Sequence, residues 1–140
     1  MRTVGGGDYR FSAPSSWSVH RSARQVTATS GAVDLVGVTE FTLARPYRPP
    51  LWRKAVPVLN RTAAGLAAQL GGEVRTRATV VVAGHHARRY EIAYSGAGKR
   101  LVERTAFLLQ GRREYQALCR FERGGDDGAC RTLFSSFRLG

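Results

Sequence analysis

A chain of 140 residues, 43% hydrophobic and 23% charged, has the length and make-up of one soluble globular domain whose core needs no staples. That balance excludes a disordered tail, a collagen-like repeat and a disulfide-dense miniprotein, and no apolar run approaches the ~18 to 20 residues of a membrane span. Against 10 acidic residues stand 22 basic ones, a formal charge of +12, and a field of that sign favours anionic partners.

Residues 1–7 read as a flexible lead-in, with the single domain over 8–140. Met1-Arg2-Thr3-Val4-Gly5-Gly6-Gly7 lacks the apolar stretch of a signal peptide, and its glycine run suits a linker. Asp8 to Ala13 alternates, with Tyr9, Phe11 and Ala13 on one side and Arg10 and Ser12 on the other, the pattern of a half-buried strand. Pro14-Ser15-Ser16 turns the chain and brings Trp17 back over the core edge. Arg24 to Ser30 forms a second strand on Val26 and Ala28. The next, Ala32 to Leu43, is apolar on both phases: Val33, Leu35, Thr39, Phe41 and Leu43 on one, Val36 and Val38 on the other. Such a strand suits the middle of a covered sheet.

After the breakers Pro46, Pro49 and Pro50 the period changes. Val56, Leu59, Ala63, Leu66, Ala67 and Leu70 form a helical stripe in Leu51 to Leu70, with Pro57 in the first turn or marking the start and Gly71-Gly72 as the stop. Arg53, Lys54, Arg61 and Gln69 fall off the stripe and face solvent. The second half alternates again. Glu73 to Val82 turns Val74, Ala78, Val80 and Val82 inward and Arg75 and Arg77 outward; Arg88 to Ser95 groups Tyr90, Ile92 and Tyr94. Lys99 to Gln110 and Arg113 to Phe121 flank a tight turn at Gln110-Gly111-Arg112, so this half reads as an antiparallel meander. A short amphipathic helix carries Cys130, Leu133, Phe134 and Phe137, with Asp126 or Asp127 as its cap. The whole is α+β: an antiparallel β-sheet of about six or seven strands flanked by one long helix and a short C-terminal helix.

Few residues suggest chemistry. His85-His86 are neighbours on a strand and point to opposite faces, which disfavours a shared metal. Asp126-Asp127 is the one adjacent acidic pair, and capping accounts for it. No serine sits in a nucleophile elbow, and no glycine run has the strand before and helix after that a phosphate loop requires. No catalytic residue, metal or cofactor is expected. The anion-binding candidates are Lys99 and Arg100, after Gly96-Ala97-Gly98, and the pair Arg112 and Arg113. A solvated, generally basic surface is the plainer alternative, because 20 of the 22 cations are Arg and they are scattered. The aromatics fall on the apolar phase of strands, a pattern that disfavours a nucleic-acid binder. Cys119 and Cys130 admit two readings, a disulfide closing a short loop or two buried thiols. A disulfide implies an oxidising compartment.

Three local patterns carry a resemblance. Tyr9-Arg10-Phe11-Ser12-Ala13-Pro14-Ser15-Ser16-Trp17 is an aromatic strand followed by Pro, a small turn and Trp. Gly84-His85-His86-Ala87-Arg88-Arg89-Tyr90 is a Gly-x-x-Ala-x-x-aromatic hairpin. Gln110-Gly111-Arg112-Arg113-Glu114-Tyr115 leads to the closing Ser135-Ser136-Phe137-Arg138-Leu139. In this order, with a cysteine pair flanking the last turn as in exported bacterial members, they resemble the PsbP/Mog1-like superfamily. The resemblance implies an α-β-α sandwich and a non-enzymatic role. That scaffold serves photosystem II extrinsic subunits, nuclear-transport factors that bind small GTPases, actinobacterial lipoproteins and effector chaperones, so it assigns no functional residue here.

The expected function is a non-catalytic binding or accessory module, extracytoplasmic, docking an acidic protein or an anionic envelope component, as a monomer or homodimer. One alternative is a cytoplasmic chaperone or adaptor that binds an apolar client helix. A second is a binder of anionic polymers or nucleic acid.

Overall fold

In a computed structural model that describes residues 1–140, two antiparallel sheets carry the fold. The smaller joins β1 (Arg2–Gly5), β2 (Tyr9–Ala13) and β9 (Arg138–Leu139) in the order β1-β2-β9. The larger contains β3 (Ser18–Arg21), β4 (Gln25–Ser30), β5 (Asp34–Tyr47), β6 (Glu73–Val82), β7 (His85–Gly96) and β8 (Lys99–Glu122). Its order is β3-β4-β5-β8-β7-β6. Helix α1 (Trp52–Leu70), entered through a 3-10 turn at Pro49–Leu51, and helix α2 (Gly128–Ser136) complete the α+β fold.

As one straight strand, the 24 residues of β8 would reach about 80 Å, against a radius of gyration of about 14 Å for a compact chain of this length. Instead β8 doubles back at Gly111, whose φ of 55° lies in the left-handed region. Its 99–108 arm pairs with β7 and its 111–120 arm with β5. Between the arms, the Arg123 N–H donates to the Arg100 carbonyl at 2.9 Å and Gln116 Nε2 to Thr105 Oγ1 at 3.0 Å. The hairpin expected at Gln110-Gly111-Arg112 therefore forms, and β8 fills two adjacent places in the sheet.

Strand alternation sorts the side chains onto two faces. On one, Ala87 and Leu108 join Phe11, Val36, Val38, Cys119, Leu133 and Phe137 in a core of 19 buried residues. The small sheet and α2 cover this face. On the other, Tyr90 and Phe107 pack beneath Leu59 and Ala63 of α1. The larger sheet thus lies between helices, as in an α-β-α sandwich. Gly71, at φ 71°, ends α1 as its stop signal requires: its N–H and that of Gly72 bond to the carbonyls of Ala68 and Ala67.

Four details depart from the reading of the sequence. Residues 1–7, expected as a flexible lead-in, contribute β1, which pairs with β2 from Arg2↔Ala13 to Gly5↔Arg10 and buries Val4 to 4% exposure. The glycines make that hairpin close: a Cβ on Gly5 would collide with the Tyr9 carbonyl oxygen, and one on Gly6 with the Tyr9 ring. Pro57 lies inside α1, because the helix starts at Trp52 and not just before the proline. In β5 only Val36 and Val38 are deep in the core, while Phe41 on the opposite phase is 37% exposed; α1 lies over β6 and β7 and leaves that part of the sheet face open. In β6 a bulge between Val74 and Thr76 shifts the phase, so Val74 packs under α1 while Val82 faces the main core and Ala78 is exposed.

Candidate functional site

The two cysteines form a disulfide, Cys119–Cys130, with both side chains buried and a Cα–Cα distance of 5.3 Å. It fastens the start of α2 to β8. Beside it lies a cavity of about 260 Å³ lined by Trp17, Asp34, Arg120, Asp126 and Ala129 among others. The acidic turn before α2 divides its labour. Asp126 Oδ1 accepts a 2.8 Å hydrogen bond from the Gly128 N–H. Asp127 Oδ2 instead accepts from Arg104 and its Oδ1 from Arg131, both at 3.0 Å. The Arg104 hydrogen bond, with Arg131 beside it, holds the Asp127 carboxyl below the usual carboxylate range.

The two histidines part as strand geometry demands. His86 packs against Trp52 of α1, with ring centroids 5.8 Å apart. His85 lines a groove of about 410 Å³ with Asp8, Gln110, Tyr115 and Arg138. No three or more His, Cys, Asp or Glu side chains are grouped so as to hold a metal ion.

A polar cluster that the sequence reading missed closes the end of the main core. Tyr115 Oη donates to Asp8 Oδ2 at 2.7 Å, and Arg113 Nη1 donates to Glu40 Oε1 at 2.8 Å, with its Nε 4.0 Å from Asp8. Burial, and then the Asp8 charge, push the Glu40 carboxyl up. Burial also pushes Tyr9 up to about 12 and raises Tyr115. Asp8 Oδ1 is buried without a protein partner. The two acids stand far apart in sequence, and only the register Glu40↔Tyr115 and the start of β2 bring them together.

The four anion-binding candidates do not converge. Lys99 and Arg100 lie at the open end of the β8 hairpin and Arg112 and Arg113 at its turn, about 40 Å of extended chain away. Lys99 pairs with Glu122 at 3.5 Å, and Arg113 is held by Glu40. Arg100 borders a shallow cavity of about 200 Å³ with Glu73, Arg75 and Arg123.

The charge picture is clearer at the level of the whole surface. Only Lys99, Arg104, Arg113, Arg120 and Arg131, five of the 22 cations, lie within 4.0 Å of a carboxylate. On the α1 side of the sheet, Arg53, Lys54 and Arg61 line the outer face of a helix that carries no acid at all. Below it, Arg77 of β6 and Arg88 of β7 share the face on which Tyr90 stands. Arg88 is fixed in place: its Nε donates to Asn60 Oδ1 and its Nη1 to Thr79 Oγ1, each at 3.2 Å, and its guanidinium lies 5.8 Å from the Tyr90 ring centre. Tyr90 Oη donates to the same Asn60 oxygen at 2.6 Å.

An antiparallel sheet between helices, stapled by a disulfide and cationic on its long-helix side, defines a small α+β sandwich domain. Solved structures share this fold. A crystal structure from Bacteroides thetaiotaomicron VPI-5482 superposes with a TM-score of 0.66 at 10% identity, over 94% of this chain and 45% of that one. The chain thus spans less than half of that protein. LpqN of Mycobacterium tuberculosis, described as involved in cell envelope biogenesis, matches with a TM-score of 0.52 at 12% identity, over 99% of this chain and 89% of its own. PA94 of Pseudomonas aeruginosa, a protein of unknown function and putative regulator, matches with a TM-score of 0.50 at 13% identity, over 82% of this chain and 78% of its own. At these identities the likeness is one of fold. No family model and no curated protein matches the sequence.

Proposed function

We propose that this chain is a non-catalytic binding or accessory module of PsbP/Mog1-like type, working outside the cytoplasm, where it docks an acidic protein or an anionic envelope component. The observation that carries this reading is the α1 side of the sheet, where Arg53, Lys54, Arg61, Arg77 and Arg88 have no carboxylate within 4.0 Å. Five cations without a paired carboxylate on one side of the sheet attract polyanions. The compartment is supported by the Cys119–Cys130 disulfide, and the role described for LpqN agrees with it. No helix is long and apolar enough to cross a membrane.

Two probes test the partner class: vesicles of phosphatidylglycerol, with phosphatidylcholine as control, and soluble polyglutamate. Retention by one of them that falls steeply as salt rises is the expected result, since exposed charges act through a screened field. The triple variant R53Q/K54Q/R61Q should bind more weakly. Absence of binding to both probes at low salt would overturn the reading. For the compartment, two free thiols in denatured protein from the native host would do the same.

A further inference from the structure

At the seam between α1 and the β6–β7 edge, three side chains have donors that no group of the protein accepts. Asn60 comes from the helix, Arg88 from β7 and Arg77 from β6. A guanidinium Nε only donates, so the Asn60 atom facing Arg88 must be the carboxamide oxygen. With that oxygen held by both Arg88 Nε and Tyr90 Oη, the Asn60 amide group is turned away from both and makes no hydrogen bond within the protein. Arg88 is immobilised by neutral groups alone: Asn60, Thr79 and the face of Tyr90. Its Nη2 also lacks a protein partner, and no carboxylate offsets its charge.

Arg77 completes the set. It stands opposite Tyr90 in the β6–β7 ladder, while Thr79 stands opposite Arg88. Arg77 and Arg88 are therefore diagonal neighbours on one face, with backbones roughly 7 to 8 Å apart. That separation suits two guanidinium groups closing on one small anion. Glu91, the nearest acid along β7, faces the opposite side and is bound to Arg104.

We propose that Arg88, Asn60 and Arg77 form a preorganised cradle for a single phosphate group. The fork of Arg88 and the amide of Asn60 supply directed donors, and Arg77 supplies the second charge. Holding Arg88 with neutral groups removes the ordering cost that a free surface arginine meets on binding. The proposal rests on the anionic-partner reading above and narrows it to one chemical group at one place. The phosphate comes either from a lipid headgroup or from a free phosphate ion.

The test uses the intact, oxidised protein. Inorganic phosphate is titrated at constant ionic strength while ¹H–¹⁵N spectra follow the Asn60 side-chain amide and Arg88 Nε. Saturable shifts at both are expected. Arg88→Gln should weaken phosphate binding by about tenfold or more. Arg112→Gln, at the distant β8 turn, removes the same charge and should change it by less than about twofold. Asn60→Asp gives an independent variant in case R88Q folds poorly: it sets a carboxylate against Arg88 and should abolish the response. Equal effects of R88Q and R112Q, or shifts that never saturate, overturn the cradle.

Phosphatidylglycerol vesicles separate the two sources. Release of the wild type by inorganic phosphate, with loss of R88Q from the vesicles, assigns a headgroup; equal retention of R88Q and wild type alongside saturable phosphate shifts assigns a free ion. Vesicle retention without saturable shifts overturns the cradle and leaves the module reading intact. Saturable shifts with no retention by vesicles or polyglutamate overturn the module reading and leave the cradle.

Discussion

Tyr115 and Asp8 join through a 2.7 Å hydrogen bond across 107 residues of sequence. One belongs to the larger sheet, and the other immediately precedes β2 of the smaller. The bond therefore ties the two sheets together at the open end of their shared core. Tyr115→Phe keeps the ring packing against Tyr9 and Phe137 and deletes only the donor. It should lower stability by about 1 kcal/mol, read as a reduced urea midpoint at unchanged slope.

Two of the perturbed carboxyls, Asp127 and Glu40, act in opposite directions with pH. Asp127 is held below its ordinary value by Arg104 and Arg131, so its contribution is present above the unfolded value and is lost as pH falls through the depressed one. Asp127→Asn should flatten the loss of melting temperature below about pH 4. Glu40 is raised by burial and by Asp8, so its contribution is present at low pH and is lost as pH rises through the raised value. Glu40→Gln should therefore gain on the wild type between pH 4 and pH 7 by roughly the linkage rule. Melting curves across this range check both signs.

The disulfide closes a short loop, with the two cysteines separated by 11 in sequence. Loop closure of this size contributes about 3 kcal/mol through the unfolded chain. Reduction, or the Cys119→Ala/Cys130→Ala double variant, should lower the unfolding free energy by about that amount and free α2 first. An unchanged denaturation midpoint after reduction would contradict this.

Val4 is a buried side chain in a strand that follows no obvious periodicity. Val4→Ala should cost about 1 to 2 kcal/mol. Gly6→Ala should also destabilise, because its Cβ meets the Tyr9 ring. A V4A variant as stable as the parent would return residues 1–7 to the role of a loose leader.

Where local pattern decides structure, the sequence was readable. The stripe from Val56 to Leu70, the glycine stop at Gly71 and the hairpin at Gly111 follow from spacing and φ preference alone. Residues 2–5 were opaque because a single buried Val sets no period, and Gly5-Gly6 was a close-approach device disguised as a linker. In β6, Val80 and Val82 face the main core as the alternation requires, but a bulge between Val74 and Thr76, which leaves no mark in the residue types, sets Val74 on the opposite face. The polar groupings were invisible for a different reason. Asp8 meets Tyr115, and Asn60 meets Arg88, only through sheet order and helix placement. The four cations singled out from local runs lie at opposite ends of one hairpin, whereas Arg88 stands in the sequence only as part of the hairpin pattern over 84–90.

Helix α1 packs on a far smaller cluster of buried side chains than the one across the sheet, four residues against nineteen, to which it adds only the small Ala67, and it has a proline inside it. Segments so lightly moored open locally before the whole molecule melts, so the amides of α1 should exchange with solvent ahead of those in β5 and β8. When the helix lifts, Asn60 leaves Arg88. An anion seated between them would then act as a clasp, and its occupancy would be legible as the time the helix stays down.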